Sequence, residues 1–399
     1  MKILQLCNKP PYPPNDGGTR AMLQMSADLA QAGNEVTVLS VVTSKHSVRL
    51  QDIPEELKTK IHFYLVLVDT RIRWLKLVKN LFFSSLPYLA ERFVSFAFLE
   101  QLKKLLKENS FDVIQFETPY LAYCLQEIRC MSPAPVVYRM HNIESEIWER
   151  EARQHGFFVR WYLKLLARRI RVMEMDFIKQ CDGLIPISRR DDEKIKEMGI
   201  MIPSCVVPYV PSFPSTQESF FCEYPSIFFL GALDWKPNLK GLEWFICKVW
   251  PHLQRKYPSL LFHVAGRNPS SAFAKWCRKK GIVFHGEVAD AAAFMQRHAI
   301  MVVPLFAGSG MRVKIIEGMM HGKAIVSTSL GAEGIPAVHQ ENILIANTDK
   351  DFIEAVSSLV ENKEWYERIR KQAYAFAHRW CSNENKIERL MHFYAHDVA

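Results

Sequence analysis

Short, almost wholly apolar runs recur along the first half of the chain, at 3–7, 35–42, 61–68, 113–117, 136–140 and 184–188. Stretches with helical spacing separate them. Runs of that length and uniformity read as strands buried on both faces, and intervening helices make such strands parallel. The alternation restarts in the second half, with runs at 227–230, 261–265, 282–284, 301–305, 324–328 and 343–346. Asp290 and Asp349 stand where helices should open and are read as N-caps. Between the halves, 206–215 carries Pro208, Pro211 and Pro214 and reads as a linker. The last helical pattern, from Lys363 to about His396, is long for a closing crossover and is expected to return to the first domain. The expectation is therefore two doubly wound α/β domains facing across a cleft: 1–211, with 380–399 packing back on it, and 212–379.

Composition narrows the classes. A chain of 399 residues, 49% apolar and 23% charged, matches a soluble globular protein with two cores. The net charge of +9 is spread over both halves, and no nucleic-acid recognition motif accompanies it. Nucleic acid is thus not an expected partner; an acidic ligand or an anionic bilayer is. Nine cysteines without a C-x-x-C argue for reduced thiols in a cytoplasmic setting, and against a disulfide framework or a zinc site. The apolar run before Pro10 and Pro11 is too short for a signal peptide and reads as the first strand. No run of 18 apolar residues predicts a membrane span. Two segments, 71–108 and 153–171, interleave aromatic and basic residues; they suit either a helix packed by its aromatics or peripheral contact with the cytoplasmic face of a membrane.

The densest chemistry lies at 302–317. An apolar run ends in Gly308-Ser309-Gly310, and a helical pattern starts at once. Loop amides aimed from a helix start form an anion site, and Arg312 and Lys314 add two cations suited to a diphosphate. The other reading of the segment is an ordinary strand-loop-helix with a solvated basic turn, against which cations at a helix start oppose its dipole. Glu317 follows one to two turns on, placed to accept bonds from a pair of sugar hydroxyls. A diphosphate joined to a ribose is a nucleotide sugar.

These blocks also resemble a known family, the family-4 retaining glycosyltransferases of the GT-B fold, in its G-S-G-x-R-x-K branch. Gly231-Ala232-Leu233-Asp234-Trp235-Lys236-Pro237-Asn238-Leu239-Lys240-Gly241 is similar to the opening of the family's nucleotide-sugar domain. Val264-Ala265-Gly266-Arg267, His285-Gly286-Glu287 and Leu330-Gly331-Ala332-Glu333-Gly334 look like later blocks. In the first half, Asn15-Asp16-Gly17-Gly18 resembles the amino-terminal glycine loop, and His141-Asn142-Ile143-Glu144 the H-[ND]-x-E block. The resemblance implies two Rossmann-like domains and a retaining transfer from a UDP- or GDP-sugar to a saccharide or lipid-linked acceptor. It makes His141, Arg312 and Lys314 catalytic. It puts Gly17, Gly18, Gly231, Lys240, Gly308, Ser309, Gly310, Glu317, Glu333 and Gly334 around the donor, with Lys240 pointing inward.

Two departures stand out. Many members carry E-x7-E, and the first carboxylate is replaced by Ser309; many carry G-R-L, and that arginine is replaced by Ala232. The only Asp-x-Asp, Asp349-Lys350-Asp351, opens a helix and is read as a cap rather than a metal site. No cofactor and no metal are expected. Other readings of the same residues are a nucleotide-sugar epimerase and a non-catalytic nucleotide-sugar-binding subunit.

Overall fold

The computed structural model describes residues 1–153, 155–211, 222–308, 310–381 and 386–398. The chain forms two compact units, Met1–Tyr209 with Glu384–Ala399, and Val210–Asn383.

The first unit is a six-stranded parallel sheet of β1 (Lys2–Cys7), β2 (Glu35–Val42), β3 (Ile61–Leu67), β4 (Val113–Phe116), β5 (Val136–Met140) and β6 (Gly183–Pro186), in the order β3-β2-β1-β4-β5-β6. Alternate residues feed two cores because successive side chains leave opposite faces. Leu4, Leu6, Ile114, Phe116 and Tyr138 pack on one face with Phe177 and Ile178. On the other face Ile3, Val36, Val38, Val113 and Val137 meet Met22, Met25 and Leu29. The helices concerned are α1 (Gly17–Gln31) and, after α2 (Trp74–Phe83) and α3 (Glu144–Arg153), the long α4 (Phe157–Gln180). Leu390, Phe393, Tyr394 and Val398 join the second core. Their seat exists because β6 opens with Gly183, where a Cβ would stand 2.7 Å from Phe393 Cζ.

The second unit repeats the plan. Its sheet contains β7 (Glu223–Leu230), β8 (Leu261–Ala265), β9 (Val283–Gly286), β10 (His298–Val303), β11 (Ala324–Ser327) and β12 (Leu344–Ile345), in the order β12-β11-β10-β7-β8-β9. The helices that matter below are α5 (Lys236–Trp244), α6 (Ala291–Arg297), α7 (Val313–Met320), α8 (Asp349–Glu361) and α9 (Lys363–Cys381). The terminal helical pattern is thus divided. Ile369, Ala373 and Ala377 of α9 are buried in the cores of the second unit, and a separate helix, Lys386–His392, goes with the first. The cap of α8 is Thr348 rather than Asp349, because the Thr348 hydroxyl reaches the Asp351 amide at 3.2 Å. Asp351 in return accepts from the Thr348 amide, completing a capping box.

α5 lies so close to the end of β10 that a Cβ at Gly241 would overlap the Pro304 carbonyl. Gly241→Ala is expected to cost about 3 kcal/mol and lower the melting temperature by roughly 6–12 °C in a calorimetric scan. An unchanged melting temperature would mean the backbones are not in contact.

In each sheet the strand order reverses beside its first strand, between β1 and β4 and between β7 and β10. Parallel sheets bind ligands outside the carboxyl ends of the strands at that reversal, because the crossover loops part there.

Candidate functional site

In each unit, residues singled out by the sequence lie near the strand ends at its reversal point. In the second unit, β10 runs out into a loop whose glycines take left-handed backbone, φ +94° at Gly308 and +79° at Gly310. Only glycine adopts these angles without strain. Gly308 is also crowded: a Cβ there would meet Arg312 Nη2 at 2.9 Å and the Trp235 ring at 3.1 Å. Ser309 lies outside the described residues. Arg312, the N-cap residue of α7, is buried; its guanidinium lies over the Trp235 ring at 5.5 Å and donates from Nη1 to the Gly310 carbonyl at 2.8 Å.

Lys314 stands in the first turn of α7 and brings its ammonium to the end of β7. Nζ donates to Asn238 Oδ1 at 3.0 Å and to the Leu230 carbonyl at 3.4 Å, and lies over the Phe229 ring at 4.5 Å. A Cβ at Gly231 would stand 3.1 Å from this ammonium, so the glycine keeps the approach open. Among the described residues no carboxylate pairs with Lys314. Burial, and then the charge of Arg312, push its pKa down to about 7. A buried cation beside another cation and at the positive end of a helix is an arrangement that an anion would stabilise.

Three further positions expected around the donor lie on α7 and in the turn after β11. Glu317 is half-buried one turn along α7. Glu333 and Gly334 sit in the turn after β11, where Gly334 has φ +82°. That turn is held by Thr328, whose hydroxyl donates to the Leu305 carbonyl and accepts from the Gly331 amide at 2.9 Å. Lys240 is exposed on α5, and the side chain that α5 turns towards Lys314 is Asn238, which also donates to the Ala232 carbonyl at 2.9 Å. The helical period explains this: Asn238 and Gly241 share the packed face and Lys240 falls off it.

In the first unit, Gly17 and Gly18 open α1 just past the end of β1. Asp16 caps the helix, accepting from the Thr19 amide at 2.9 Å and from Lys9 Nζ at 2.8 Å. A Cβ on Gly18 would come within 3.2 Å of that ammonium. His141 follows β5, and its Nε2 lies 2.6 Å from Glu117 Oε2 at the end of β4. The same carboxylate oxygen accepts from the buried Arg139 at 3.1 Å, and Oε1 accepts from Gln115 at 2.5 Å. Burial alone would raise the Glu117 pKa, but Arg139, His141 and Gln115 outweigh it and the carboxylate is held ionised. Burial lowers the His141 pKa, and Arg139 adds to that against the Glu117 contact. His141 is therefore neutral, with its proton on Nε2 facing Glu117 and a lone pair on Nδ1. Glu144 accepts from the Tyr120 hydroxyl at 2.8 Å, while the start of α3 is capped by the buried Glu174 through the Glu144 and Ser145 amides.

Sequence reading passed over Trp235, Asn238, Glu117, Arg139 and Lys9. Signals for some of them existed. Trp235 and Asn238 lie inside the glycine-flanked block 231–241, and Glu117 is a carboxylate closing an apolar run.

Comparison with known proteins places both units. The profile of glycosyltransferase family 4 matches residues 15–211, and that of the group 1 glycosyl transferases matches 224–362. An uncharacterized 44.6 kDa protein in the cps region of Klebsiella pneumoniae is 23% identical, covering 94% of this chain and 95% of that one. Among solved structures, Anabaena HepE in complex with UDP and glucose is 14% identical, with a TM-score of 0.64 over 99% of this chain and 100% of that one. Sucrose-phosphate synthase from Thermosynechococcus elongatus is 12% identical, with a TM-score of 0.70 over 99% and 98%. A variant of S. aureus TarM, in complex with fondaparinux, α-GlcNAc-glycerol and UDP, is 11% identical with a TM-score of 0.68 over 98% and 99%. At these identities the structural likenesses speak for the fold.

Proposed function

Because this chain belongs to the group 1 and family 4 glycosyltransferases and uses a nucleotide sugar, we propose that it transfers the sugar with retention of anomeric configuration and without a metal. One observation carries the reading: Arg312 and Lys314 converge at the start of α7, and no carboxylate among the described residues neutralises Lys314. Transfer places negative charge on the departing diphosphate, and two fixed cations at a helix amino terminus meet it without reorganising. The diphosphate lies along Gly308 and Gly310, with Gly231 leaving room for its approach. Glu317 accepts from the ribose, Glu333 and Gly334 line the donor, and Gly17 and Gly18 bring backbone amides towards donor or acceptor. His141 offers its Nδ1 lone pair to a hydroxyl of the transferred sugar.

The donor is a UDP- or GDP-sugar; UDP in the HepE and TarM complexes supports the former. The acceptor is a saccharide or lipid-linked saccharide in cell-envelope polysaccharide synthesis, a reading supported by the relative in a cps region. The test is incubation with UDP- and GDP-sugars and candidate acceptors, with the anomeric configuration of the product read by NMR. Transfer with retention, undiminished when EDTA removes Mg²⁺ and Mn²⁺, is the expected result. Inversion, or activity restored only by a divalent ion, would refute the respective half of the proposal.

No helix among the described residues is long and apolar enough to cross a membrane. The first unit nevertheless exposes a basic and aromatic face. Trp74, Leu75, Phe82 and Phe83 of α2 and Phe157, Phe158 and Trp161 of α4 are largely exposed, and Arg169 of α4 joins the two helices by donating to the Leu81 carbonyl at 2.8 Å. Arg153, Arg160, Lys164, Arg168 and Arg171 line an adjoining hollow with Glu149. This face supports peripheral binding to anionic bilayers on the cytoplasmic side, with rings in the interface and basic side chains on the headgroups. Sedimentation with phosphatidylglycerol vesicles should weaken by about tenfold or more in Phe82→Ser/Phe83→Ser/Phe158→Ser protein, and vesicles of phosphatidylcholine alone should bind neither form. Equal sedimentation of both forms would remove the membrane from the proposal.

A further inference from the structure

The second unit holds a cluster of histidines that glycosyl transfer does not use. His263 lies in the middle of β8, His285 near the end of β9 and His298 at the start of β10, and the sheet register gathers them although 22 and 13 positions separate them in sequence. One ring nitrogen of each lies within 4.8 Å of those of the other two. His263 Nδ1 is 3.0 Å from His285 Nε2, and ring centroids are 4.0 Å apart for His263 and His298, 5.3 Å for His263 and His285, and 6.1 Å for His285 and His298. Phe294 of α6 closes over the cluster, edge-on to His285 and His298 at 5.2 and 4.7 Å.

Packing alone is a poor account of this arrangement. His263 and His298 are buried, yet among the described residues His298 Nδ1 has no hydrogen-bond partner. Apolar rings would fill the same volume without stranding polar atoms, and buried polar atoms ordinarily find partners. Two imidazole nitrogens on one zinc ion, each about 2.0–2.1 Å from it, stand about 3.3 Å apart at a tetrahedral angle. The closest pair, His263 Nδ1 and His285 Nε2, is already near that spacing, and the His298 ring, stacked on His263, turns out of the stack to join them. Around the cluster, Glu223 is the acid whose charge acts on His263 and His285, while Arg297 acts on His285 and His298 and Lys323 on His298.

We propose that His263, His285 and His298 form a binding site for a divalent transition metal of the zinc class. All-nitrogen ligation selects Zn²⁺, Co²⁺, Ni²⁺ or Cu²⁺ over Mg²⁺ and Ca²⁺. His285 is exposed, so the ion reaches the site from solvent and keeps water in its remaining position. Bound there, it ties β8, β9 and β10 together across β7 and stabilises the second unit. The cysteine spacing that argues against zinc does not bear on this site, whose ligands are imidazoles assembled by the sheet. The site stands apart from the transfer chemistry and is tested by binding, so either can fail without the other.

The experiment uses the full chain free of any histidine tag. Equilibrium dialysis against Zn²⁺ should give one tightly bound ion per chain, and saturating Zn²⁺ should raise the melting temperature by roughly 5 °C or more. Co²⁺ should give the visible d–d bands of a low-coordinate nitrogen site. His285→Ala alters an exposed side chain and is expected to fold; it should weaken Zn²⁺ binding by about 100-fold or more, at least what loss of an outer-shell partner costs, and abolish both signals. His396→Ala, which alters one of a separate histidine pair at the chain end, should bind Zn²⁺ like the parent. Absence of saturable Zn²⁺ binding, or binding by His285→Ala equal to the parent, overturns the proposal.

Discussion

Lys314→Met is expected to lower kcat for glycosyl transfer by about 10²–10³-fold while leaving the free protein as stable as the parent or more so. The two effects have one cause. Methionine preserves the volume beside Phe229 and Gly231 but removes an ammonium that the free protein holds at a cost. In the parent, the Lys314 pKa is pushed down to about 7 by burial and by Arg312. In the unfolded chain it returns to its ordinary value of 10.5. Between those values the unfolded chain binds more protons, so this residue makes stability rise with pH over that window. Below about pH 7 both states are charged and the folded protein bears the whole penalty. A bound diphosphate reverses the balance: it favours the ammonium, so donor affinity should fall as pH rises through about 7. The parent's kcat/KM should therefore show an alkaline limb near pH 7, and Lys314→Met should lack it. Thermal melts and a pH series of initial rates decide the matter. A limb that persists in Lys314→Met, or a variant that merely unfolds, would remove the residue from the diphosphate. The charge grows as the bond to the sugar breaks, so the loss should lie more in kcat than in donor binding.

Glu117→Ala should cost about 3–5 kcal/mol and lower the melting temperature of the first unit by roughly 6–20 °C. The carboxylate is almost wholly buried and joins Arg139, His141 and Gln115. Its removal leaves the buried Arg139 guanidinium with the Ala21 carbonyl but without its counter-charge, which costs far more than loss of a surface ion pair would. A second consequence follows for chemistry. Without Glu117, nothing holds the His141 proton on Nε2, and the Nδ1 lone pair is no longer guaranteed. His141→Ala separates the two effects. Its ring sits at the edge of the cluster, 15% exposed, so activity should fall about 10–100-fold with a melting temperature close to the parent's. If Glu117→Ala melts like the parent, the buried pair is not holding the strand ends together.

Much of this organisation is legible along the chain. Twelve apolar runs correspond to the twelve strands among the described residues: the central ones are apolar throughout because both faces are covered, whereas the edge strands β3 and β9 expose some residues. Edges moved where neighbours supplied pairing: β10 begins at His298 rather than 301 because Glu223 of β7 offers it a partner. The glycine-flanked loop and its two cations were legible too, since backbone at positive φ and charge at a helix start are local properties. The division of the last helical pattern was not, because α9 and the helix Lys386–His392 have similar periodicity and differ in the core each one meets.

Local chemistry along the chain was sufficient to specify where strands and helices, the glycine-flanked loop and His141 fall to within a residue or a few, since each depends on residues within a turn or two. Which atoms face one another was settled by sheet register and crossover packing. These turned Asn238 rather than Lys240 towards Lys314, set Glu117 against Arg139 and His141, and drew three distant histidines together. Those pairings join residues far apart in sequence, and no local periodicity encodes them; only the burial of both sheet faces brings them into contact.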